Sequence, residues 1–135
     1  MTKRQILIAR IILVLYMVAL VLLCVLNFKT PPNVQKTLFG IPTDKIVHFC
    51  MFFPMPIIAF FAFDKYTEKV WSSILFTALA FIVSVGFATL TEWAQGLTPT
   101  RSREHADFIA DVIALGVSSV IVLVLDISKQ KKPVK

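Results

Sequence analysis

The stretch TEWAQGLTPTRSREHADFIAD, residues 91–111, separates two long apolar runs and concentrates charge between them. Six of the chain's 22 charged residues (14 Lys and Arg, 8 Asp and Glu) lie within it. The run before it, residues 70–90, carries no charge at all. Glu92 and Asp111 nevertheless lie inside or against the apolar runs, where a charge is costly unless it is paired or functional. The stretch therefore predicts the ends of two membrane helices and a polar site between them.

The composition extends this prediction to the whole chain. The 135 residues are 57% apolar and only 16% charged, with a mean hydropathy of +0.79, which is typical of a membrane protein. Four apolar runs occupy about residues 6–28, 46–63, 70–90 and 106–125. A helix of roughly 20 residues crosses the hydrocarbon core and pairs its own backbone groups. We therefore predict an all-α integral membrane protein, with residues 1–135 forming a single domain of four transmembrane helices.

The first apolar run is predicted to be a retained span and not a cleaved signal peptide. It is longer than the roughly 7–15 residues of a signal-peptide core, and no small-x-small cleavage site follows it. Pro54 and Pro56 each lack a backbone donor, so we expect the second span to bend or unwind there. Thr43 is expected to cap that span, with Asp44 in its first turn.

Lysine and arginine are distributed unevenly over the two ends of the predicted spans. Nine of these residues flank one side and five flank the other. The larger group comprises Lys3, Arg4, Arg10, Lys65, Lys69, Lys129, Lys131, Lys132 and Lys135. The positive-inside rule then predicts a cell-membrane protein with both termini in the cytoplasm and residues 91–111 facing outward. The net charge of +6 requires no nucleic-acid partner, because basic ends of this kind lie beside anionic lipid.

The two cysteines have a structural interpretation. Cys24 and Cys50 both lie in apolar runs near the outer ends of their spans, so a disulfide between them is geometrically possible. Two small apolar side chains are the favoured alternative. The absence of a C-x-x-C motif argues against a zinc knuckle.

Polar side chains recur at helical spacing at the outer ends of three predicted spans. The sets that share a helical face are Asp44 with His48, Glu92 with Gln95, and Glu104 with Asp107 and Asp111. Small residues continue two of these stripes into the membrane, namely Ser84, Ala88, Ala114 and Ser118. Because small residues line helix contacts in lipid, we expect the stripes to face the bundle interior at one common depth. If Glu92 and Asp111 face each other there, at most one of them is ionised at neutral pH.

Several functions fit these residues. In the favoured one, Lys45, Arg101 and Arg103 bind an anionic lipid headgroup, with His48 and Gln95 as hydrogen-bond partners. This hypothesis assigns an outward-facing polar pocket that binds or handles an anionic lipid or amphiphile. Membrane lipids are then the expected partners.

An intramembrane enzyme is the first alternative. His48 or Glu92 would be the general base, acting on a lipid-linked phosphoryl or acyl group. No nucleophile–base pair can be named, which favours binding over catalysis. Histidine and carboxylates are also generic metal ligands, but no H-E-x-x-H motif is present, so neither a metal nor a cofactor is assigned.

Two further alternatives need no bound molecule. A structural network would pair Glu92 or Asp107 with an arginine of residues 101–103, and Asp44 with Lys45 or His48. A proton or ion pathway would run through Glu92 and Asp111. Against that pathway, the cytoplasmic half shows no matching polar groups in the sequence, and residues such as Asp126 are interpreted as ordinary flanking charges.

The combined motifs resemble the VanZ-like membrane family over about residues 40–120. The matching segments are DKIVH at 44–48, EWAQ at 92–95, PTR at 99–101 and the aspartate of the last span. The site residues that the resemblance implies are Asp44, Lys45, His48, Glu92, Gln95, Arg101 and Asp107. The chain departs from the family where Asp111 stands in place of the usual Asn, which adds a carboxylate to the predicted site.

The resemblance also carries expectations about function. The family's name-giving member is an accessory factor for tolerance to teicoplanin-type glycopeptide antibiotics. A lipid-linked cell-wall precursor or a glycopeptide-type amphiphile is the partner that this implies.

Overall fold

The computed structural model describes residues 1–26, 37–63, 69–97 and 104–130. In these ranges the chain forms five helices and one short hairpin. The helices are α1 (Lys3–Val25), α2 (Thr43–Phe52), α3 (Pro54–Phe63), α4 (Val70–Gln95) and α5 (His105–Gln130). The hairpin pairs β1 (Thr37–Leu38) with β2 (Ile41–Pro42) in antiparallel register.

The predicted bundle of four membrane-spanning helices is confirmed. α1, the α2–α3 pair, α4 and α5 are 23, 21, 26 and 26 residues long, and each is apolar enough to cross a membrane. At 1.5 Å per residue these lengths are roughly 31–39 Å, which exceeds the hydrocarbon core. α4 and α5 extend beyond the predicted apolar ends, to Gln95 and Gln130. Polar residues continue a helix as readily as apolar ones, so hydropathy underestimates the length of the helices.

The second span is interrupted at Phe53, next to Pro54, as the prolines predict. α2 ends one residue before Phe53 and α3 begins with Pro54, at a position where a helix needs no backbone donor. The predicted cap at Thr43 is wrong by one residue, because Pro42 occupies the N-cap position and Thr43 is already helical. Asp44 lies in the first turn as expected.

The hairpin joins α2 through a tight turn at Phe39 and Gly40. Both residues have positive φ, 52° and 79°, as a two-residue turn of type I′ requires. Phe39 is 95% exposed at the tip.

The helices pack with α5 against α2, α3 and α4, while α1 lies against α3 and α4. The apolar core between them includes Leu20, Phe52, Met55 and Leu115. The Arg10 guanidinium in α1 donates through Nε to a carbonyl of α3 at 3.1 Å and lies over the Phe63 ring. This contact holds the start of α1 against the end of α3.

The predicted small-residue stripes face the bundle interior. The four small residues Ser84, Ala88, Ala114 and Ser118 are all buried between helices. The cysteines do not form a disulfide: Cys24 is buried in the core, and Cys50 is exposed. The close approach of α4 and α5 that these small residues permit fixes the distance between the polar groups above them.

Candidate functional site

The predicted polar residues of three helices meet at one end of the bundle. The starts of α2 and α5 and the end of α4 lie there, and we call the group the polar cluster. Its members are Asp44, Lys45, His48, Glu92, Glu104, Asp107 and Asp111. Six of them are among the site residues that the sequence predicts, and Glu104 joins them through Lys45. The sequence did not predict which of these side chains touch.

Lys45 joins three carboxylates across α2 and the start of α5. Its Nζ donates to Asp44 Oδ2 at 2.7 Å, to Glu104 Oε2 at 2.5 Å and to Asp107 Oδ1. An ammonium group has three N–H donors, so each of them is engaged by an acid. In this arrangement Lys45 ties two helices together, and an anionic ligand would have to displace a carboxylate to reach it.

His48 forms a buried pair with Asp111. Its Nδ1 lies 3.1 Å from Asp111 Oδ1, and both side chains are buried, Asp111 at 0% exposure. A neutral histidine that donates from Nδ1 keeps a lone pair on Nε2. That Nε2 lies 3.9 Å from Asp107 Oδ2, beyond hydrogen-bond range. Asp111 therefore has a histidine partner that the sequence analysis did not assign to it, and the sharing of one charge between Glu92 and Asp111 stays a prediction from the sequence.

Two carboxylate oxygens of the polar cluster lack a hydrogen-bond partner among the described residues. They are Glu92 Oε1 and Asp111 Oδ2, and both are shielded from solvent. Leaving a buried polar group unsatisfied costs about 1–3 kcal/mol, and more when it is charged. The site therefore contains acceptors that a bound molecule or ion would satisfy.

One subset of the polar cluster has the spacing of metal ligands. Ligand atoms of His48, Glu92 and Asp107 all lie within 4.8 Å of one another, and all three side chains are buried. A second set, Asp44, Glu104 and Asp107, meets the same distance limit, but its first two members are exposed. The Lys45 ammonium already contacts all three carboxylates of the second set, so their charges are paired without a metal ion.

Gln95 and Arg101 complete the sequence-predicted site. Gln95 is buried in the last turn of α4, one turn beyond Glu92. Arg101 and Arg103 lie outside the described residues, so their assignment to the site stays a prediction from the sequence.

A second buried polar group lies at the opposite end of α5 and was not predicted from the sequence. It consists of Asp126, Ser73 and Gln130. Asp126 was interpreted as a flanking charge, but it is buried and accepts from Ser73 Oγ at 2.5 Å and from Gln130 Nε2 at 3.2 Å. The sequence does contain a pattern that predicts the burial of Asp126. Spacings of three and four residues connect it to Asp111 through positions 115, 118 and 122, so both aspartates lie on one face of α5. The sequence analysis argued against a proton or ion pathway because the half of the bundle away from the polar cluster showed no matching polar groups. That argument is wrong.

The buried face of α5 is consequently polar at both ends and mixed between them. Ser118 and Ser119 carry buried hydroxyls that have no acceptor or donor within the part of the chain that is described. Apolar Leu115 and Val122 alternate with them along the same face. Among the described residues, isolated hydroxyls and apolar side chains therefore lie between the two polar groups, and no hydrogen-bonded chain joins them.

Comparison with known proteins identifies no relative. No protein-family model, curated protein sequence or solved structure matches the chain. The resemblance of the DKIVH, EWAQ and PTR segments to the VanZ-like family accordingly stays a prediction, and the function is argued from the residues of the polar cluster.

Proposed function

We propose that this membrane protein binds the headgroup of an anionic, hydroxyl-bearing amphiphile at the polar cluster. The observation that carries the proposal is the pair of buried oxygens on Glu92 and Asp111 that have no hydrogen-bond partner among the described residues. Each is an acceptor at the end of an apolar bundle, where lipid headgroups are the nearest abundant molecules. Hydroxyl groups of a headgroup would donate to these oxygens and remove the cost of leaving them unsatisfied.

The charges of the cluster limit which headgroups fit. Its described members include five carboxylates but only Lys45 and His48 as cationic or potentially cationic groups. A headgroup phosphate therefore needs cations from elsewhere, and the sequence supplies Arg101 and Arg103 within the three residues before Glu104. Arginine binds phosphate through two parallel N–H groups. We therefore expect the headgroup to donate hydroxyl groups to Glu92 on α4 and Asp111 on α5, and to place its phosphate against the two arginines.

Lipid retention by the purified protein tests this proposal. Detergent-solubilised protein would be exposed to phosphatidylglycerol, phosphatidic acid or phosphatidylcholine, and the retained lipid would be measured by native mass spectrometry. We expect phosphatidylglycerol to be retained most. Of the three lipids, it is the one that combines a net negative charge with alcohol hydroxyls in the headgroup. Glu92→Leu should abolish that preference, and Asp126→Leu, which removes a buried carboxylate at the other end, should keep it.

The outcomes separate the two parts of the proposal. Equal retention of phosphatidic acid and phosphatidylglycerol would show that phosphate alone is recognised and would remove the role of Glu92. Equal retention of phosphatidylcholine would refute an anionic ligand. Loss of the phosphatidylglycerol preference in the double variant Arg101→Gln/Arg103→Gln would support the phosphate contact.

Catalysis is the second candidate function, and the His48–Asp111 pair favours it. A carboxylate that holds histidine Nδ1–H leaves Nε2 as a base, as in hydrolases that transfer a proton through histidine. The substrate class would be a lipid-linked phosphoryl or acyl group, with water as the nucleophile. Release of phosphate or fatty acid by the wild type, lost in His48→Gln while lipid retention persists, would establish it. A wild type without turnover on either substrate class would exclude it.

A role at the cell envelope follows from the family resemblance and adds a cellular test. Expression in a glycopeptide-susceptible Gram-positive host should raise the inhibitory concentration of teicoplanin if the resemblance extends to function. Glu92→Leu should remove the effect at equal expression. An unchanged inhibitory concentration with the wild-type protein would separate this chain from the family's expected activity.

A further inference from the structure

We propose that His48, Glu92 and Asp107 bind one divalent transition-metal ion, with Zn²⁺ as the best match. The ligand atoms of these three side chains lie within 4.8 Å of one another and come from three helices. His48 Nε2 and Asp107 Oδ2 are 3.9 Å apart. Ligands in a tetrahedral zinc site with bonds of about 2.0–2.1 Å are separated by roughly 3.4 Å. Small side-chain rotations would therefore close the site around an ion.

The state of Glu92 is the independent observation that points to a ligand. Its side chain is buried, at 8% exposure, and its Oε1 accepts no hydrogen bond in the described ranges. A carboxylate in such a place normally has a partner, because the unpaired charge is expensive at a membrane boundary. Since a Glu92 oxygen also lies within 4.8 Å of its two neighbours, a cation between the three would provide that partner.

Asp111 prepares the histidine for metal binding. A metal-bound histidine almost always gives its other ring N–H to a carboxylate or carbonyl, which fixes the ring and its tautomer. The 3.1 Å contact between His48 Nδ1 and Asp111 Oδ1 is of this kind. It leaves Nε2, the nitrogen nearer Asp107, as the ligand atom. Asp111 would thus be a positioning residue and not a ligand.

Charge and ligand type select the class of ion. One neutral imidazole and two carboxylates balance the charge of a divalent cation, so the ion and its three ligands together carry no net charge. Imidazole favours zinc and related transition metals, whereas magnesium and calcium prefer sites made only of oxygen. Three protein ligands also leave a coordination position open to water or to an oxygen of a bound molecule.

Lys45 restricts the acidic residues to a single site. Its ammonium joins Asp44 and Glu104, which removes them from competition for an added cation. It also binds Asp107 Oδ1 and leaves Asp107 Oδ2 on the side of His48. One aspartate therefore serves as a lysine partner and a metal ligand through different oxygens.

The metal site goes beyond the amphiphile proposal and does not depend on it. If both hold, the ion offsets the charges of Glu92 and Asp107 and offers its open coordination position to an oxygen of the headgroup. Metal binding is measurable in detergent without added lipid, and lipid retention is measurable in the presence of a chelator. Failure of one proposal is therefore distinguishable from failure of the other.

Metal analysis of the purified full-length chain is the direct test. Tag-free protein would be stripped with a chelator and dialysed separately against Zn²⁺, Mn²⁺ and Mg²⁺. Its metal content would then be measured by plasma mass spectrometry, and its affinity by competition with a chromophoric chelator. We expect one Zn²⁺ per wild-type chain, less Mn²⁺ and no retained Mg²⁺. Glu92→Gln and Asp107→Asn should lose stoichiometric zinc, and Asp111→Asn should bind it about 10–100-fold more weakly.

Asp126→Asn is the matched control, because it neutralises a buried aspartate of the same helix outside the cluster. It should bind zinc like the wild type. A wild type that retains none of the three metals overturns the proposal by itself, whatever the variants do. Equal zinc binding by the wild type, Glu92→Gln and Asp107→Asn would place the ion elsewhere and overturn it too. A monodisperse elution profile for each variant keeps loss of metal separate from loss of fold.

Discussion

Replacing Glu92 by leucine should stabilise the ligand-free protein. Glu92 Oε1 is buried without a hydrogen bond among the described residues, so the wild type carries the cost of an unsatisfied acceptor. That cost is about 1–3 kcal/mol, and an apolar side chain of similar size avoids it. The leucine would lie in the last turn of α4. We therefore expect the free energy of unfolding to rise by about 1–3 kcal/mol in Glu92→Leu.

Asp126→Leu is the paired control and should have the opposite effect. Asp126 is also a buried carboxylate, but it accepts hydrogen bonds from Ser73 and Gln130. Removing it deletes two hydrogen bonds, while Ser73 Oγ keeps the Lys69 carbonyl and Gln130 Nε2 keeps Ser73 Oγ as alternative acceptors. The free energy of unfolding should fall by about 0.5–1.5 kcal/mol for each hydrogen bond lost. The two substitutions change the same kind of group to the same residue, so their difference reports on pairing and not on hydrophobicity.

The assay is thermal unfolding of both variants in one detergent, after treatment with a chelator and delipidation. Glu92→Leu should melt above the wild type and Asp126→Leu below it. Adding Zn²⁺ or phosphatidylglycerol should raise the melting temperature of the wild type and leave that of Glu92→Leu unchanged. If Glu92→Leu melts as low as Asp126→Leu in the stripped state, then Glu92 has a structural partner. The reasoning behind both proposals would then fail.

Three further predictions concern the cluster and the topology. Asp111→Asn keeps an acceptor for His48 and should cost less than about 1 kcal/mol, whereas Asp111→Ala leaves the ring unpaired and should cost about 2–3 kcal/mol; equal losses in chemical unfolding would show that the charge itself is required. Lys45→Met leaves three carboxylates without their cation and should lower the melting temperature more at pH 8 than at about pH 2.5, which lies below the ordinary carboxylate pKa values of about 3.9–4.3; a loss that is independent of pH would contradict this. In a Cys24/Cys50-free background, Leu97→Cys should react with an impermeant thiol reagent on intact cells and Lys69→Cys should not, and the reverse pattern would invert the proposed orientation.

Amino-acid composition and the spacing of apolar residues were sufficient to predict the four-helix bundle. A backbone in lipid has few ways to pair its polar groups, so four apolar runs translate directly into four helices. Helical spacing also placed Asp107 and Asp111 on one face of α5, and small residues such as Ala114 identified that face as the interior. These predictions succeed because each depends on a single helix and its immediate surroundings.

The contacts within the cluster could not be predicted in the same way. Whether Asp111 meets Glu92 or His48 depends on the rotation of α2 relative to α4 and α5, which no local pattern fixes. The partners of Lys45 were equally unpredictable, because its long side chain reaches from α2 to Glu104 at the start of the neighbouring helix α5. Asp126 was missed for a different reason: a charge near the end of an apolar run was assigned to the membrane surface, although its face of α5 is buried.

Helix polarity explains why Glu92 is the member of the cluster that most needs an added cation. Asp44 and Asp107 lie in the first turns of α2 and α5, where the helix dipole favours a negative charge by about 0.3–1 kcal/mol. Both also bind the ammonium of Lys45. Glu92 lies in the last turn of α4, where the same dipole opposes its charge, and its Oε1 accepts no hydrogen bond within the described segments. A cation placed beside Glu92 would offset both penalties at once, so the two proposals converge on this carboxylate.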